Sequence, residues 1–223
     1  MPAGGSFALG GGSLDLGGSS LQVGGLFSLA GGRLFDVTGI TIASGGTLDG
    51  SGGQISLSGD WSNSGNFLAG GDQVNFIDGP ASSQVLGNTT FANASFVSAN
   101  GKNYLFGVGT TQTISGLLTI TGAAGTPIQF RSTGAGQVAN IDLLGSGSQS
   151  IAHVGVSDVH ATGQHLAPSL TNEGGSGNAL GWFGAAVVTG TMPATALSPL
   201  GMLLFAFALF AGVWLTRRHP SEI

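Results

Sequence analysis

The residues of this chain that could do chemistry are few and mostly acidic. Asp49, Asp60, Asp72 and Asp78 fall in one stretch, and carboxylates gathered on a groove can hold calcium or act as general acid and base at a glycosidic bond. A β-helix polysaccharide lyase or hydrolase is the activity such a groove would serve. Lyase chemistry also asks for a basic side chain, and before residue 217 the chain offers only Arg33, Lys102 and Arg131. Aspartates between glycines have a plainer use, since their carboxylates satisfy backbone N–H groups of their own turns. That use is the expected one here.

His153, His160 and His165 lie within thirteen residues of one another. Imidazoles can ligate zinc, but this spacing fits neither a helical pair nor a zinc hairpin. All three are expected as exposed loop side chains. Ser157, Asp158 and His160 have the residue types of a nucleophile system, yet a triad draws its members from separate elements and adjacency along the chain is the wrong geometry. No phosphate loop, dinucleotide fingerprint or basic aromatic patch is present. The sequence therefore points to no catalytic residue, no metal and no cofactor.

The framework that would position these groups is written in glycine. Of 223 residues 43 are glycine, 7% are charged, 41% are apolar and none is cysteine. A disordered chain would be more charged and poorer in large apolar residues, and collagen would keep a strict three-residue period. Disulfides and cysteine-ligated metals are excluded. Up to Phe183 the chain holds three basic residues against nine acidic ones, a net of −6, and that balance argues against nucleic acid and anionic lipid as partners.

From Phe7 to Phe76 short β-prone runs recur between glycine pairs, and within each the apolar residues alternate, as in Leu14-Asp15-Leu16, Leu21-Gln22-Val23, Ile40-Thr41-Ile42 and Ile55-Ser56-Leu57. Taking Phe7, Leu14, Leu21, Leu26, Leu34, Ile40 and Leu48 as equivalent gives a step of about seven residues and, with three steps to a turn, a coil of about twenty. This predicts an all-β fold, a right-handed parallel β-helix of about nine coils over residues 1–183. Each coil would bury its inward residues against its neighbours and bend at glycine corners. A hairpin meander is the alternative, but hairpins of three or four residues bury too little to stand alone. Trp61 and Phe67 are expected to stack in the core. Later strands are expected at Phe91–Val97, Tyr104–Phe106, Leu117–Thr121, Ile128–Arg131, Gln137–Leu144 and Ser150–Val156.

Residues 184–196 read as a linker, charge-free over Gly184 to Thr191, with the start of a sorting motif behind it, and residues 197–216, LSPLGMLLFAFALFAGVWLT, as a single transmembrane helix. About twenty uncharged residues at ~1.5 Å each match a hydrocarbon core of ~30 Å. Arg217 and Arg218 follow at once as a membrane stop. No other lysine or arginine lies between Arg131 and Arg217, so the positive-inside bias places residues 217–223 in the cytoplasm and the β domain outside. After Met1 there is no basic region or apolar leader, so the chain is expected to be a fragment or to start upstream.

Two resemblances attach to these residues. The segment Met192-Pro193-Ala194-Thr195-Ala196-Leu197-Ser198-Pro199-Leu200-Gly201-Met202, with the apolar span and terminal arginines behind it, resembles the IPTL type of C-terminal sorting signal, a relative of the PEP-CTERM signals. Leu197, Ser198, Gly201 and Met202 match in register, while Met192 and Pro193 match with two residues inserted and Pro199 falls inside the box. The resemblance implies that an exosortase-type membrane transpeptidase processes the protein there; an ordinary anchor without processing is the alternative. The phrases DWSNSGNFLAGGDQVNF and QTISG are similar to those of adhesin-type β-helix repeats on bacterial surfaces. Together they imply an exported surface or matrix protein, structural or adhesive, anchored in the membrane or released after processing, with extracellular polysaccharide as a partner.

Overall fold

The computed structural model describes residues 2–184. Strands follow one another from Ser6–Ala8 to Val159–Ala161, and no helix occurs among the described residues. All pairings between these strands are parallel; a single antiparallel bridge, Ala123 to Thr126, closes a corner loop. A meander is thereby ruled out, because hairpins pair antiparallel.

Each circuit of the chain gives one strand to each of three faces. The first face stacks the leading halves of Ser13–Val23, Arg33–Ile42 and Gln54–Asn63, then Gln73–Phe76, Asn93–Val97, Leu117–Thr121 and Ser148–Ala152. The second stacks the trailing halves of those three long strands, then Ser82–Leu86, Asn103–Phe106, Ile128–Ser132 and Val154–Ser157. The third is built from two groups without hydrogen bonds between them. Ser6–Ala8, Leu26–Ser28, Thr47–Asp49 and Asn66–Leu68 form one, and Thr89–Phe91, Thr111–Ile114, Ala139–Leu143 and Val159–Ala161 the other. The product is a parallel β-solenoid of about seven turns.

Seven turns replace the expected nine because the coil lengthens along the chain. Leu14 lies against Leu34, Leu34 against Ile55, Ile55 against Val74 and Val74 against Ala94, which keeps the period near twenty. Ala94 is then followed by Leu118, and Leu118 by Gln149. The added residues go into corner loops such as 122–127, so the rungs stay in register while the sequence period drifts. Two further expectations are corrected. In the first coils the runs on the first and second faces are continuous strands, bent by Gly17 and Gly18 at φ 54° and 76° or by Asp36 at φ 53°. The single strand expected over Ser150–Val156 is instead broken at His153, whose φ is 52°.

The core is one column of inward side chains. Leu34, Ile55 and Val74 are at most 1% exposed, as are Ile40, Trp61 and Val85. At the third position of the first coils Phe27, aligned with Phe7, points inward and Leu26 is 44% exposed; strict alternation allows either phase, and the coil register selects Phe27. Aromatics dominate the middle of the column. Trp61 meets Phe67 edge to face at 5.1 Å and 89°, and Phe76 stacks on Phe96 at 4.5 Å and 4°. At the C-terminal end Leu166, Ala167 and Trp182 are buried, with Trp182 set 6.1 Å from Phe130.

Candidate functional site

The four aspartates do not converge. Asp49 stands on the third face and accepts the Ser51 N–H at 3.1 Å and the Ser51 and Ser28 hydroxyls at 2.6 and 2.9 Å; the Ser51 hydroxyl contributes most to holding its carboxyl below the usual range. Asp60, on the second face, accepts the Gln84 N–H at 2.7 Å. Asp78, at the corner between the first two faces, accepts from the Ser98 hydroxyl, the Ala99 N–H at 3.0 Å and the Asn100 amide at 3.1 Å. Asp72 is fully buried. One oxygen accepts the Gly70 N–H at 3.0 Å, the other has no partner, and burial raises its carboxyl above the ordinary value. Only Asp49 and Asp72 serve their own turns; Asp60 and Asp78 hold backbone of the next coil.

Two of the three cations upstream of residue 217 are committed to structure. Lys102 is 2% exposed and its amine donates to the Ile77 carbonyl at 2.9 Å and to the Ser58 carbonyl, beside the Tyr104 ring at 5.1 Å. Burial pushes this amine down to about 8, opposed by the nearby Asp78 and Asp60. Arg131 donates to the Gly155 and Gly174 carbonyls at 3.1 and 2.9 Å, and burial lowers it too. A groove lysine or arginine able to abstract a sugar proton must reach solvent, and these two are turned to carbonyl oxygens.

The histidines are half-buried rather than exposed, because the segment after residue 161 folds back onto them. His153 Nδ1 lies 3.1 Å from the Glu173 carboxylate, His160 Nε2 lies 3.0 Å from the Asn178 amide oxygen, and His165 Nε2 donates to the Phe183 carbonyl at 2.9 Å. Ser157 Oγ, 4% exposed as a residue, accepts from the Ser176 N–H and hydroxyl at 2.7 and 2.8 Å. Asp158 accepts the Asn178 amide and the Gly136 N–H, which hold its carboxyl low. Ser157 is thus engaged by Ser176, while Asp158 and His160 are both tied to the Asn178 amide. Among the described residues no group of three or more His, Cys, Asp or Glu side chains could hold a metal ion.

What the fold does assemble is neutral. On the first face Ser56, Asn75, Ser95, Thr119 and Ser150 stand in register on five successive rungs. Rungs are ~4.8 Å apart, so hydroxyls and amides recur at that interval along the solenoid axis. Asn75 donates to the Ser56 hydroxyl at 3.4 Å, and Gln73 to the Asn75 amide oxygen at 3.2 Å. No charged side chain occurs in Gln73–Phe76, Asn93–Val97, Leu117–Thr121 or Ser148–Ala152, and the charge of Gln54–Asn63, Asp60, lies on its trailing half on the second face. The third face adds a shallow cleft of about 370 Å³ lined by Asn88, Thr89, Thr90, Gly109, Thr111 and Thr113, again without charge. Sequence reasoning missed the row because each member is an ordinary serine, threonine or asparagine. Only the coil register, read once per circuit, reveals it.

The sorting residues Met192, Pro193, Leu197, Ser198, Pro199 and Gly201, the span 197–216 and the stop residues Arg217 and Arg218 lie outside the described residues. No family model, no curated protein and no solved structure matches the chain.

Proposed function

We propose that the chain is an exported bacterial surface or matrix protein, structural and adhesive rather than catalytic, whose solenoid offers neutral hydrogen-bonding faces to extracellular polysaccharide. The observation that carries this reading is the uncharged row from Ser56 to Ser150. A polymer lying along the axis meets a hydroxyl or amide about every 4.8 Å, a repeat of the same order as one sugar ring in an extended glycan. The separation of Asp49, Asp60, Asp72 and Asp78 favours this over a lyase or hydrolase, which needs two or three carboxylates facing one another. In this reading the coil is right-handed, residues 197–216 cross the membrane, and Arg217 and Arg218 stay in the cytoplasm. Met192, Pro193, Leu197, Ser198, Pro199 and Gly201 present the cleavage box to an exosortase-type transpeptidase.

Two measurements test the two halves. Full-length protein should co-sediment with an insoluble neutral glycan, and Asn75→Asp with Thr119→Asp should weaken retention about ten-fold; unchanged retention would remove the row from the account. Mass spectrometry of the mature protein from native cells should find the C-terminal helix lost in a Pro193-dependent manner. An intact Ile223 would leave an anchor and no sorting.

A further inference from the structure

The neutral row of the first face has an apolar companion on the same rungs. Two residues beyond Asn75, Ser95, Thr119 and Ser150, and so on the same outward side, stand Ile77, Val97, Thr121 and Ala152. Val97 pairs with Thr121 and Thr121 with Ala152. Ile77 follows Phe76, the partner of Phe96, and keeps the ladder by donating its N–H to the Leu57 carbonyl at 2.9 Å, which sets it beside Val97. Ile77 is 39% exposed and Val97 41%. At ~3.3 Å per residue the two rows run about 6.6 Å apart, each repeating with the rungs. Asp78, next to Ile77 in the chain, is turned to Ser98, Ala99 and Asn100 and adds no free charge. The polar row is also unspent where it meets this companion. Asn75 is taken up by Ser56 and Gln73, but the hydroxyls of Ser95, Thr119 and Ser150 have no hydrogen-bond partner among the described residues.

We propose that this double row selects, among neutral polysaccharides, one whose sugars carry an acetamido group; the inference rests on the glycan reading of the same face and narrows it. A glycan bearing hydroxyls alone satisfies Ser95, Thr119 and Ser150, but it lays its remaining hydroxyls against Ile77 and Val97, where they lose water and gain no partner. A deoxy sugar brings a methyl without an added amide. The acetamido group carries both ends that the face asks for. Its N–H and carbonyl meet the hydroxyl row, and its methyl lies on the aliphatic row, where the Thr121 and Ala152 methyls continue the surface laid down by Ile77 and Val97. A charged polymer is disfavoured, because Gln73–Phe76, Asn93–Val97, Leu117–Thr121 and Ser148–Ala152 offer no counter-charge to replace its hydration. Each methyl contact is weak, and the selection comes from repetition along one chain.

Chitin and cellulose share one linkage and differ in the acetamido group, so the pair isolates it. Full-length protein in detergent solution is co-sedimented with each polymer. The expected result is a half-saturating concentration at least ten-fold lower on chitin. Ile77→Thr combined with Val97→Thr exchanges methyls for hydroxyls and keeps both side chains β-branched. It should bring the two polymers within about two-fold of each other while retention on cellulose is unchanged. Equal retention of the native chain on the two polymers would overturn the acetamido inference and leave the glycan reading standing, whereas retention on neither would remove both. A chitin preference that survives in the double variant would overturn its assignment to this row. The native comparison decides the first question even where the variant does not fold.

Discussion

The Lys102 amine lies 2.9 Å from the Ile77 carbonyl oxygen and also donates to the Ser58 carbonyl, so one side chain ties together three successive coils. Removing it strands two acceptors that have lost water. Lys102→Met is expected to cost about 2–4 kcal/mol in urea unfolding at pH 7.

The same amine sets a pH dependence of definite sign. Burial pushes it down to about 8 from 10.5 in the unfolded chain. Below pH 8 both states hold the proton and the folded state bears the whole cost of the buried charge. Between pH 8 and 10 the unfolded chain keeps a proton that the folded chain has released, so stability rises with pH, by at most about 1.4 kcal/mol per pH unit. Above pH 10 the buried Tyr104 phenol, pushed up by its surroundings, begins to act in the opposite direction. Unfolding midpoints from pH 8 to 10 should climb in the native chain relative to Lys102→Met; parallel curves would show that the amine does not titrate there.

Asp72 gives the converse case. Burial raises its carboxyl, so the stability it contributes is intact below the unfolded value of 3.8 and is lost as pH rises through the raised folded value. No side chain or backbone group among the described residues donates to its partnerless oxygen, and the Gly70 N–H needs only one acceptor. Asp72→Asn keeps that acceptor and cannot ionise. It is expected to stabilise the protein by about 1–2 kcal/mol at pH 7 and to be near neutral at pH 3, read by urea titration at both values.

The first coils were legible because Leu14, Leu34, Ile55 and Val74 recur at nearly constant spacing and alternate with polar neighbours, which is all that a parallel stack requires. The later coils were less so. Once corner loops grow, Leu118 and Gln149 no longer fall where a fixed period would put them, and counting at twenty yields two coils too many. Lys102 and the histidines were opaque for a different reason. Their partners are backbone groups or loops sixteen to forty-four residues away, as with Lys102 and Ser58, or the closing segment, and a carbonyl oxygen leaves no mark on residue identity.

Glycine acts here through two separable effects. At Gly59 an added Cβ would lie 1.7 Å from the Thr38 carbonyl oxygen, whereas at Gly71, φ 75°, nothing stands within 4 Å. Gly59→Ala must move one coil against the next and should cost about 3 kcal/mol. Gly71→Ala meets only the left-handed backbone penalty and should cost about 1 kcal/mol. Equal losses in thermal unfolding would mean that the rungs are not packed as closely as 1.7 Å implies.

Trp182 tests whether the closing segment holds the stack from its end. Its ring is 5% exposed and meets Phe130 edge to face, while its indole N–H is buried with no acceptor. Trp182→Ala removes the ring and should cost about 3–5 kcal/mol. Trp182→Phe gives up some volume and also deletes the unsatisfied donor, so it should stay within about 1 kcal/mol of the native chain. In a quasi-one-dimensional stack each coil is supported only by its neighbours, so the loss should enter from the uncovered end. Hydrogen exchange of Trp182→Ala should accelerate first in Val154–Ser157 and Val159–Ala161, while Gln54–Asn63 keeps its protection. Uniform acceleration through all the strands would instead make the solenoid one cooperative unit, and the segment from Leu166 to Phe183 an ordinary part of its core.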